Sequence, residues 1–296
     1  MQFDTMNLPK LTVGEFKVFL LTDGTWRNDG GCMFGVVPRV LWERDHPADE
    51  RNRVRLGLTC PLVVRGRDAI LADTGIGNRL AQDEREAFAH GEGRLIDGLR
   101  ALGMEPGDIT HVVLSHLHFD HSGGVVRRER SGSLRPAFPK ARYLVQRGEY
   151  ETARKDANIR LRAAYRHVPE CFDPLAEALE LLDGTTEVIA GVSAVVTAGH
   201  TKDHQVITVK TGGGEGFAHL ADIVPTRSHL KPAWNQAYDL DPLRTMEAKA
   251  RLLEQAVAAR WWVTFAHDDK LLAARIGRTA AGRLALNERV AMPESE

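Results

Sequence analysis

The stretch His116-Leu-His-Phe-Asp-His121 carries three imidazoles and a carboxylate within six consecutive residues. A packed core or an ordinary surface loop does not concentrate such groups. Neutral imidazole nitrogens and carboxylate oxygens are the ligands that suit zinc and its first-row neighbours. The β-branched segment 110–114 predicts a buried strand directly before the stretch, and Gly123-Gly124 predicts a loop after it. The chain is therefore expected to fold so that a strand end presents a metal site.

The same pattern, a predicted strand followed by a possible metal ligand, occurs at three more places later in the chain. His200, Asp222 and His267 each follow a predicted strand within one to three residues. With the first cluster they make five histidines and two carboxylates, enough for two metal ions with three ligands each and one shared carboxylate. Such a site leaves room for a bridging water, which favours a catalytic centre over a structural one.

Composition limits the classes of protein to consider. Of the 296 residues, 43% are apolar and 27% are charged, which is typical of a globular protein, and no low-complexity linker divides the chain. We therefore expect one domain over residues 1–296. The formal net charge of −1 gives no general attraction to nucleic acid or to a membrane. The arginines between 127 and 135 lack interleaved aromatic residues and predict a solvated loop.

Cysteine usage and the N-terminal sequence favour the cytoplasm. Cys32, Cys60 and Cys171 are odd in number and contain no Cys-x-x-Cys pair, so a disulfide framework is not expected. Residues 1–10 lack the basic and apolar regions of a signal peptide. No apolar run reaches the roughly 18 residues that suggest a membrane span.

Two helical regions and a tryptophan pair give further expectations. Residues 147–182 predict short helices broken by prolines, and a longer helix is expected from Pro242 with Asp241 as its cap. The adjacent Trp261 and Trp262 suit either a homodimer contact or burial against a sheet. The predicted apolar stripe of the longer helix consists of Leu243, Met246, Ala250, Leu253 and Val257.

The motifs together resemble the metallo-β-lactamase superfamily. The resemblance rests on His-x-His-x-Asp-His at 116–121, Gly-His-Thr-x-x-His at 199–204, Asp222 and His267, in that order along nearly the whole chain. It implies an α/β fold, a four-layer αββα sandwich with a dinuclear site at one edge of the paired sheets. Asp73 matches an early aspartate of the family that lies behind the ligands.

The resemblance also implies how the ligands are divided between two divalent cations. Zinc is favoured, although the same ligand set accepts iron, manganese or cobalt. One ion is expected to take His116, His118 and His200, the other Asp120, His121 and His267, with Asp222 between them.

Within the superfamily, the sequence looks most like the quorum-quenching N-acyl homoserine lactonases. Phe119 matches an aromatic residue that contacts substrate there, and Met33 and Phe34 are expected to face the apolar acyl chain of a small-molecule substrate. His229, in a loop after Asp222, is a further candidate for substrate contact. The lactonases carry a tyrosine three residues after the bridging aspartate, where this chain has Pro225. Either a metal or another donor polarises the carbonyl, or the substrate is not that lactone.

The implied reaction is hydrolysis of a lactone or ester by a bridging hydroxide. Asp222 bridges the metals, and Asp120 is positioned to pass a proton to the leaving alkoxide. Phosphotriester hydrolysis and a glyoxalase II type of thioesterase remain alternatives, although residues 268–296 are too short for the glutathione-binding region of the latter. A non-catalytic scaffold on this fold would be expected to lack ligands, and all seven are present.

Overall fold

Two seven-stranded sheets form the framework of the protein in the computed structural model, which describes residues 8–91, 93–155 and 162–292. Residues 1–7, which carry most of the N-terminal segment considered above, lie outside the described residues. Within the described ranges, no helix combines the length and the apolar composition that a membrane crossing needs.

The strands are numbered along the chain. They are β1 (Lys10–Val13), β2 (Phe16–Asp29), β3 (Arg53–Arg65), β4 (Asp68–Ala72), β5 (His111–Val113), β6 (Val126–Arg128), β7 (Leu134–Pro136), β8 (Arg142–Gln146), β9 (Leu179–Leu182), β10 (Thr186–Ile189), β11 (Val192–Val196), β12 (Gln205–Lys210), β13 (Gly216–His219), β14 (Trp262–Thr264), β15 (Leu271–Arg278) and β16 (Leu284–Ala291).

The α-helices are mostly short, and one long helix lies near the C-terminus. They are α1 (Gly30–Phe34), α2 (Arg39–Trp42), α3 (Gln82–Phe88), α4 (Leu95–Ala101), α5 (Phe119–Ser122), α6 (Arg147–Arg154), α7 (Arg162–Tyr165), α8 (Val168–Phe172) and α9 (Pro242–Ala258). Single 3₁₀ turns cover Pro106–Asp108, Gly123–Val125, Asp173–Leu175, Ala221–Ile223 and Arg227–Leu230.

Each large sheet mixes antiparallel and parallel neighbours. The first has the order β1-β2-β3-β4-β5-β8-β9 and the second runs from β10 to β16 in sequence, while β6 and β7 form a small hairpin. β4, β5, β8 and β9 are parallel to one another, and β13 is parallel to β14. Because the carboxyl ends of parallel strands lie on the same side of a sheet, the loops that follow them are brought together.

Alternation along the strands builds a core between the sheets and another on each outer face. On β3 and β4, Val63 and Ile70 face the second sheet, whereas Leu62 and Leu71 face the helices. Helices α4, α6 and α8 cover the first sheet, and α9 covers the second. The layer order is helix, sheet, sheet, helix, which confirms the predicted αββα sandwich.

Helix α9 begins where predicted, but its buried face differs from the predicted stripe. The Asp241 side chain accepts a hydrogen bond from the amide of Arg244 at 3.1 Å, as expected of a cap. Leu243 is 67% exposed, and Lys249 is buried instead because its ammonium donates to the carbonyl oxygen of Trp234 at 2.6 Å. The buried positions are Thr245, Ala248, Lys249, Leu252, Leu253 and Ala256.

Two further expectations are resolved by the fold. The region 147–182 contains α6, α7 and α8, but the prediction of helix is wrong at its end, where Leu179–Leu182 pairs with β8 as a strand. Residues 156–161 lie outside the described part. Trp261 is 4% exposed and packs under α9, and Trp262 is partly buried against the core between the sheets, so burial accounts for Trp261 while a subunit contact at Trp262 stays a prediction.

Candidate metal centre

Loops that follow four strands converge at one end of the sandwich. The loop after β5 leads into the short helix α5, and the others follow β11, β13 and β14. These loops carry all seven predicted ligands: His116, His118, Asp120 and His121 after β5, His200 after β11, Asp222 after β13 and His267 after β14.

Close backbone contacts fix two of these loops, and each contact requires a glycine. Gly199 has a φ of +106°, and a Cβ there would lie 2.5 Å from the amide nitrogen of Thr245 at the start of α9. The amide of Asp241 donates to the Gly199 carbonyl at 2.9 Å, so the first turn of α9 holds the loop of His200. A Cβ on Gly124 would lie 2.2 Å from the Thr74 carbonyl oxygen.

The ligand side chains form two buried groups, and the ligand atoms of each group lie within 4.8 Å of one another. His118 Nδ1 and His200 Nε2 are 3.1 Å apart in the first group. His121 Nε2 and His267 Nε2 are likewise 3.1 Å apart in the second. The first group is His116, His118, His200 and Asp222, and the second is Asp120, His121 and His267.

Asp222 lies between the two groups. Its Oδ2 is 3.1 Å from His200 Nε2, whereas its Oδ1 is 3.1 Å from His267 Nε2 and 3.2 Å from His121 Nε2. One carboxylate therefore presents a different oxygen to each group, as a bridging ligand would. Asp120 Oδ2 completes the second group at 3.3 Å from His267 Nε2.

The arrangement fits a pair of divalent cations. The fully buried His116 Nε2 has no hydrogen-bond partner in the described part of the chain. Buried polar atoms normally find partners, so this nitrogen points to a ligand. Imidazole nitrogens and carboxylate oxygens in groups of three or four are the donor set of zinc and related ions.

Burial and the charges in the site lower the pKa of some imidazoles and raise that of others. Burial, reinforced by the imidazole of His121, holds the pKa of His116 well below its usual value. Burial also lowers the pKa of His118 to about 3. Burial opposes protonation of His267, but the carboxylate of Asp222 raises its pKa to about 9. His116 and His118 are therefore neutral, the form in which an imidazole binds a metal.

Acceptors behind the site orient several ligands. The carboxylate of Asp73 is 2.8 Å from His121 Nδ1, and that of Asp239 is 2.8 Å from His200 Nδ1. The Gly57 carbonyl oxygen lies 3.0 Å from His267 Nδ1. Because these oxygens only accept, each Nδ1 carries a proton, and Nε2 is the ring nitrogen that faces the site and would bind a metal once its own proton is lost.

The remaining histidines near the site support it rather than join it. His219 Nε2 lies 3.1 Å from Asp73 Oδ2, and His204 Nδ1 lies 2.8 Å from the Thr197 hydroxyl, with its ring beside that of His116. By contrast, His111 takes no part in the site: it lies half-buried at the start of β5, whereas the ligands follow the end of that strand, and its Nδ1 is 2.9 Å from the Thr110 hydroxyl.

A cleft of about 270 Å³ opens over the centre. His118, Asp120 and Asp222 line its floor, so the ligand groups are reached from this side. Its walls are mainly aromatic and aliphatic and include Trp26, Met33, Leu80, Phe88, Phe119 and Tyr238. Polar and charged side chains also line it, namely Asn28, Arg79, Glu84, Arg166 and Gln236. An apolar cleft with polar groups at fixed places is typical of a site for a small molecule.

Two of the four predicted substrate contacts line this cleft and two do not. Phe119 packs edge-to-face on Trp26 with ring centres 5.6 Å apart, and Met33 lies beside it. Phe34 is fully buried and stacks on His229 at 5.2 Å. His229 Nε2 lies 3.0 Å from the Met33 carbonyl oxygen. Both rings are buried and do not line the cleft, and substrate contact by the four residues stays a prediction.

Several cleft residues were not predicted from the sequence. Tyr238 has its hydroxyl 3.2 Å from Asn28 Nδ2, and Gln236 donates to Asp222 Oδ2 at 3.0 Å. Arg79 lines the cleft from the loop between β4 and α3. These residues lie in irregular segments with no motif or periodicity, so no sequence pattern pointed to them.

Comparison with known proteins agrees with this geometry. Residues 56–267 match the family described as the Metallo-beta-lactamase superfamily. An N-acyl homoserine lactonase of Bacillus cereus is 30% identical over 230 residues, which cover 73% of this chain and 83% of that protein.

Solved structures give the same fold. A probable metal-dependent hydrolase from Staphylococcus aureus superposes with a TM-score of 0.88 at 27% identity, covering 97% of this chain and 100% of that one. AidC, a dizinc quorum-quenching lactonase solved with a product, superposes with a TM-score of 0.74 at 22% identity, covering 99% of each chain.

Proposed function

The chain belongs to the metallo-β-lactamase superfamily, and from this we propose that it is a dinuclear-metal hydrolase that opens lactone or ester bonds. The observation that carries the proposal is Asp222, whose two oxygens face two different groups of ligands. The match to N-acyl homoserine lactonases, and the apolar walls of the cleft, support a small substrate with an apolar chain.

Two zinc ions are the proposed cofactors. His116, His118 and His200 would hold one, Asp120, His121 and His267 the other, and Asp222 both. Bound there, the cations would lower the pKa of a shared water to supply hydroxide and would stabilise negative charge on the attacked carbonyl.

The chain's own side chains account for binding and proton transfer. Trp26 and Phe119 form a wall against which an apolar chain packs and which keeps bulk water from the ester. Asp120 lines the cleft, so its carboxylate can hold a proton and deliver it to the leaving alkoxide. Burial raises the pKa of Tyr238 above its usual value, so its hydroxyl stays protonated and can donate to the carbonyl oxygen.

Tyr238 thus offers a donor at a site where Pro225 cannot provide one. Pro225 has no side-chain donor, and its carbonyl oxygen is taken by the amide of His267 at 2.8 Å. The metal ion itself remains the alternative means of polarising the carbonyl.

We also propose that the enzyme works in the cytoplasm. Cys32, Cys60 and Cys171 are all free thiols, two of them buried, which suits a reducing compartment.

The test is turnover by zinc-loaded and cobalt-loaded protein on N-acyl homoserine lactones, aryl esters, phosphotriesters and glutathione thioesters. We expect lactones and esters to be hydrolysed fastest. Asp120→Asn and His118→Ala should abolish turnover and leave the circular dichroism spectrum unchanged. His111→Ala, outside both groups, is the matched control and should keep turnover. Absence of lactone and ester hydrolysis with both metals bound would overturn the proposal, and faster phosphotriester hydrolysis would favour that alternative.

A further inference from the structure

Arg79 is a buried cation that has no partner for its guanidinium within residues 8–91, 93–155 and 162–292. Its exposed fraction is only 9%, and its Nε has no hydrogen-bond partner in residues 8–91, 93–155 and 162–292. Its backbone carbonyl oxygen is used, since Arg128 donates to it at 3.1 Å and 3.3 Å, but its guanidinium forms no ion pair within those ranges.

The acidic groups nearest to Arg79 are already engaged. Glu84 pairs with Arg166, and Glu170 lies 3.6 Å from the guanidinium of Arg128. The neighbouring Cys171 is no anion either, because burial raises the pKa of its thiol to about 12. The positive charge of Arg79 is therefore not balanced within the described part of the chain.

The unpaired guanidinium lies beside the metal centre. Arg79 lines the same cleft as His118 and Asp120. A Cβ on Gly123, two residues after the ligand His121, would lie 3.2 Å from Arg79 Nε. The side chain thus runs along the loop of ligands and contributes to the lining of the cleft.

A buried charge without a partner costs free energy that a bound counter-ion recovers. A guanidinium stays protonated when buried, so it cannot avoid this cost by losing its proton. Its planar fork matches a carboxylate, with which it forms two parallel charge-assisted hydrogen bonds. A single uncompensated cation suits a singly charged group better than a phosphate dianion.

We propose that Arg79 binds a carboxylate that the substrate carries in addition to the ester that is hydrolysed. The inference rests on the proposed function and narrows its substrate class to esters or lactones with an apolar chain and an acidic group. N-acyl homoserine lactones are neutral and would leave Arg79 unpaired, so they would be poorer substrates than acid-bearing analogues of the same length.

The first test compares mono-p-nitrophenyl adipate with p-nitrophenyl hexanoate, which has the same chain length and no free carboxylate. For the zinc-loaded enzyme we expect kcat/KM to be at least about tenfold higher for the adipate ester, the size of one charge-assisted contact. Arg79→Met should bring the ratio close to one, and Arg79→Lys, which keeps the charge but not the fork, should fall between. Arg147→Met removes an exposed cation that is paired with Asp183 and does not line the cleft, so it should keep the wild-type ratio.

The second test measures binding rather than turnover, by calorimetry with adipate, hexanoate and inorganic phosphate. One carboxylate of adipate can contact the metals and the second can reach Arg79, so we expect adipate to bind about tenfold more tightly than hexanoate in the zinc-loaded wild type and equally in Arg79→Met. If neither ester is hydrolysed but this difference is found, the anion site stands and the proposed function fails.

Three results would overturn the carboxylate site. They are equal affinity of the wild type for adipate and hexanoate, an equal loss of both affinities in Arg79→Met, and a preference for phosphate that depends on Arg79. If Arg79→Met does not fold, the affinities for adipate and hexanoate are compared in Arg79→Lys instead.

Discussion

Replacing Asp73 by asparagine is expected to weaken metal binding by the group that contains His121, while the group that contains His200 is nearly unaffected. Asp73 Oδ2 lies 2.8 Å from His121 Nδ1 and 3.1 Å from His219 Nε2, and Oδ1 accepts from the Ser115 amide at 2.7 Å. An amide keeps one acceptor oxygen but turns the other position into a donor. If that donor faces His121, the proton of His121 must move from Nδ1 to Nε2.

The size of the expected loss in metal affinity follows from the position of His121 Nε2. It is the atom 3.1 Å from His267 Nε2 and 3.2 Å from Asp222 Oδ1, so a proton there occupies the lone pair that would bind the metal. Loss of such an orienting carboxylate typically lowers metal affinity 10- to 100-fold, about 1.4–2.7 kcal/mol. We expect this loss for one of the two ions.

The same substitution at Asp239 tests the other group of ligands, because the Asp239 carboxylate lies 2.8 Å from His200 Nδ1 and orients that imidazole. Competition with a chromophoric chelator would give the two stepwise Co²⁺ affinities of each variant. Asp73→Asn and Asp239→Asn should each lower the affinity for one ion, and the double variant should lower the affinity for both. Asp183→Asn, which alters an exposed pair with Arg147, is the control. A double variant that still binds one ion with wild-type affinity would refute the reasoning, as would unchanged affinities in Asp73→Asn.

Three further predictions concern the cleft and the buried framework. Tyr238→Phe should lower kcat/KM for a lactone about 10- to 100-fold with little change in metal content, as expected for loss of a donor to the carbonyl oxygen, and unaltered kinetics would exclude that role. Burial lowers the pKa of His46 from 6.5 to about 4. As the pH falls from 6.5 to about 4, His46 is protonated in the unfolded chain but not in the folded one, so the folded protein loses stability. The measurement is the free energy of unfolding in urea at about pH 7 and about pH 4.5, with a chelator present. Between these two pH values His46→Gln should lose up to about 2–3 kcal/mol less stability than the wild type, and an equal loss in both proteins would contradict the prediction. Gly124→Ala places a Cβ 2.2 Å from the Thr74 carbonyl oxygen and should destabilise the fold by roughly 1–3 kcal/mol, whereas Gly91→Ala, with nothing within 4 Å, should not.

The sequence was most informative where a β-branched strand ended in a ligating residue. The strand pattern placed the loop after β5, His200, Asp222 and His267 at strand ends, and the parallel neighbours of each sheet bring such ends together. That made the convergence of the seven side chains predictable, whereas the αββα fold followed from the resemblance of the motifs to the metallo-β-lactamase superfamily.

Helix α9 shows where hydrophobic periodicity fails. Leu243 suited the predicted stripe but lies in the first turn, where the helix projects into solvent. Lys249 takes a core position because backbone carbonyls satisfy its ammonium. A buried polar group with partners supplied by a distant loop cannot be recognised from the pattern of one helix.

The cleft was the least predictable part for the same reason. Met33 and Phe34 are neighbours in sequence, yet only Met33 reaches the cleft because the short helix α1 turns Phe34 toward Trp42. Arg79 and Tyr238 are brought to the centre by irregular loops. Their positions depend on packing between segments far apart in the chain.

Each group of ligands takes side chains from both sheets, and this has a consequence for how the protein opens. His118 follows a strand of the first sheet and His200 one of the second, and His121 and His267 repeat the pairing. A cation bound by either pair would cross-link the layers, so this end of the sandwich cannot separate without releasing its ions. Amide hydrogen exchange near β5 and β14 should then slow when metal is added and become the fastest-opening part of the sheets when a chelator removes it.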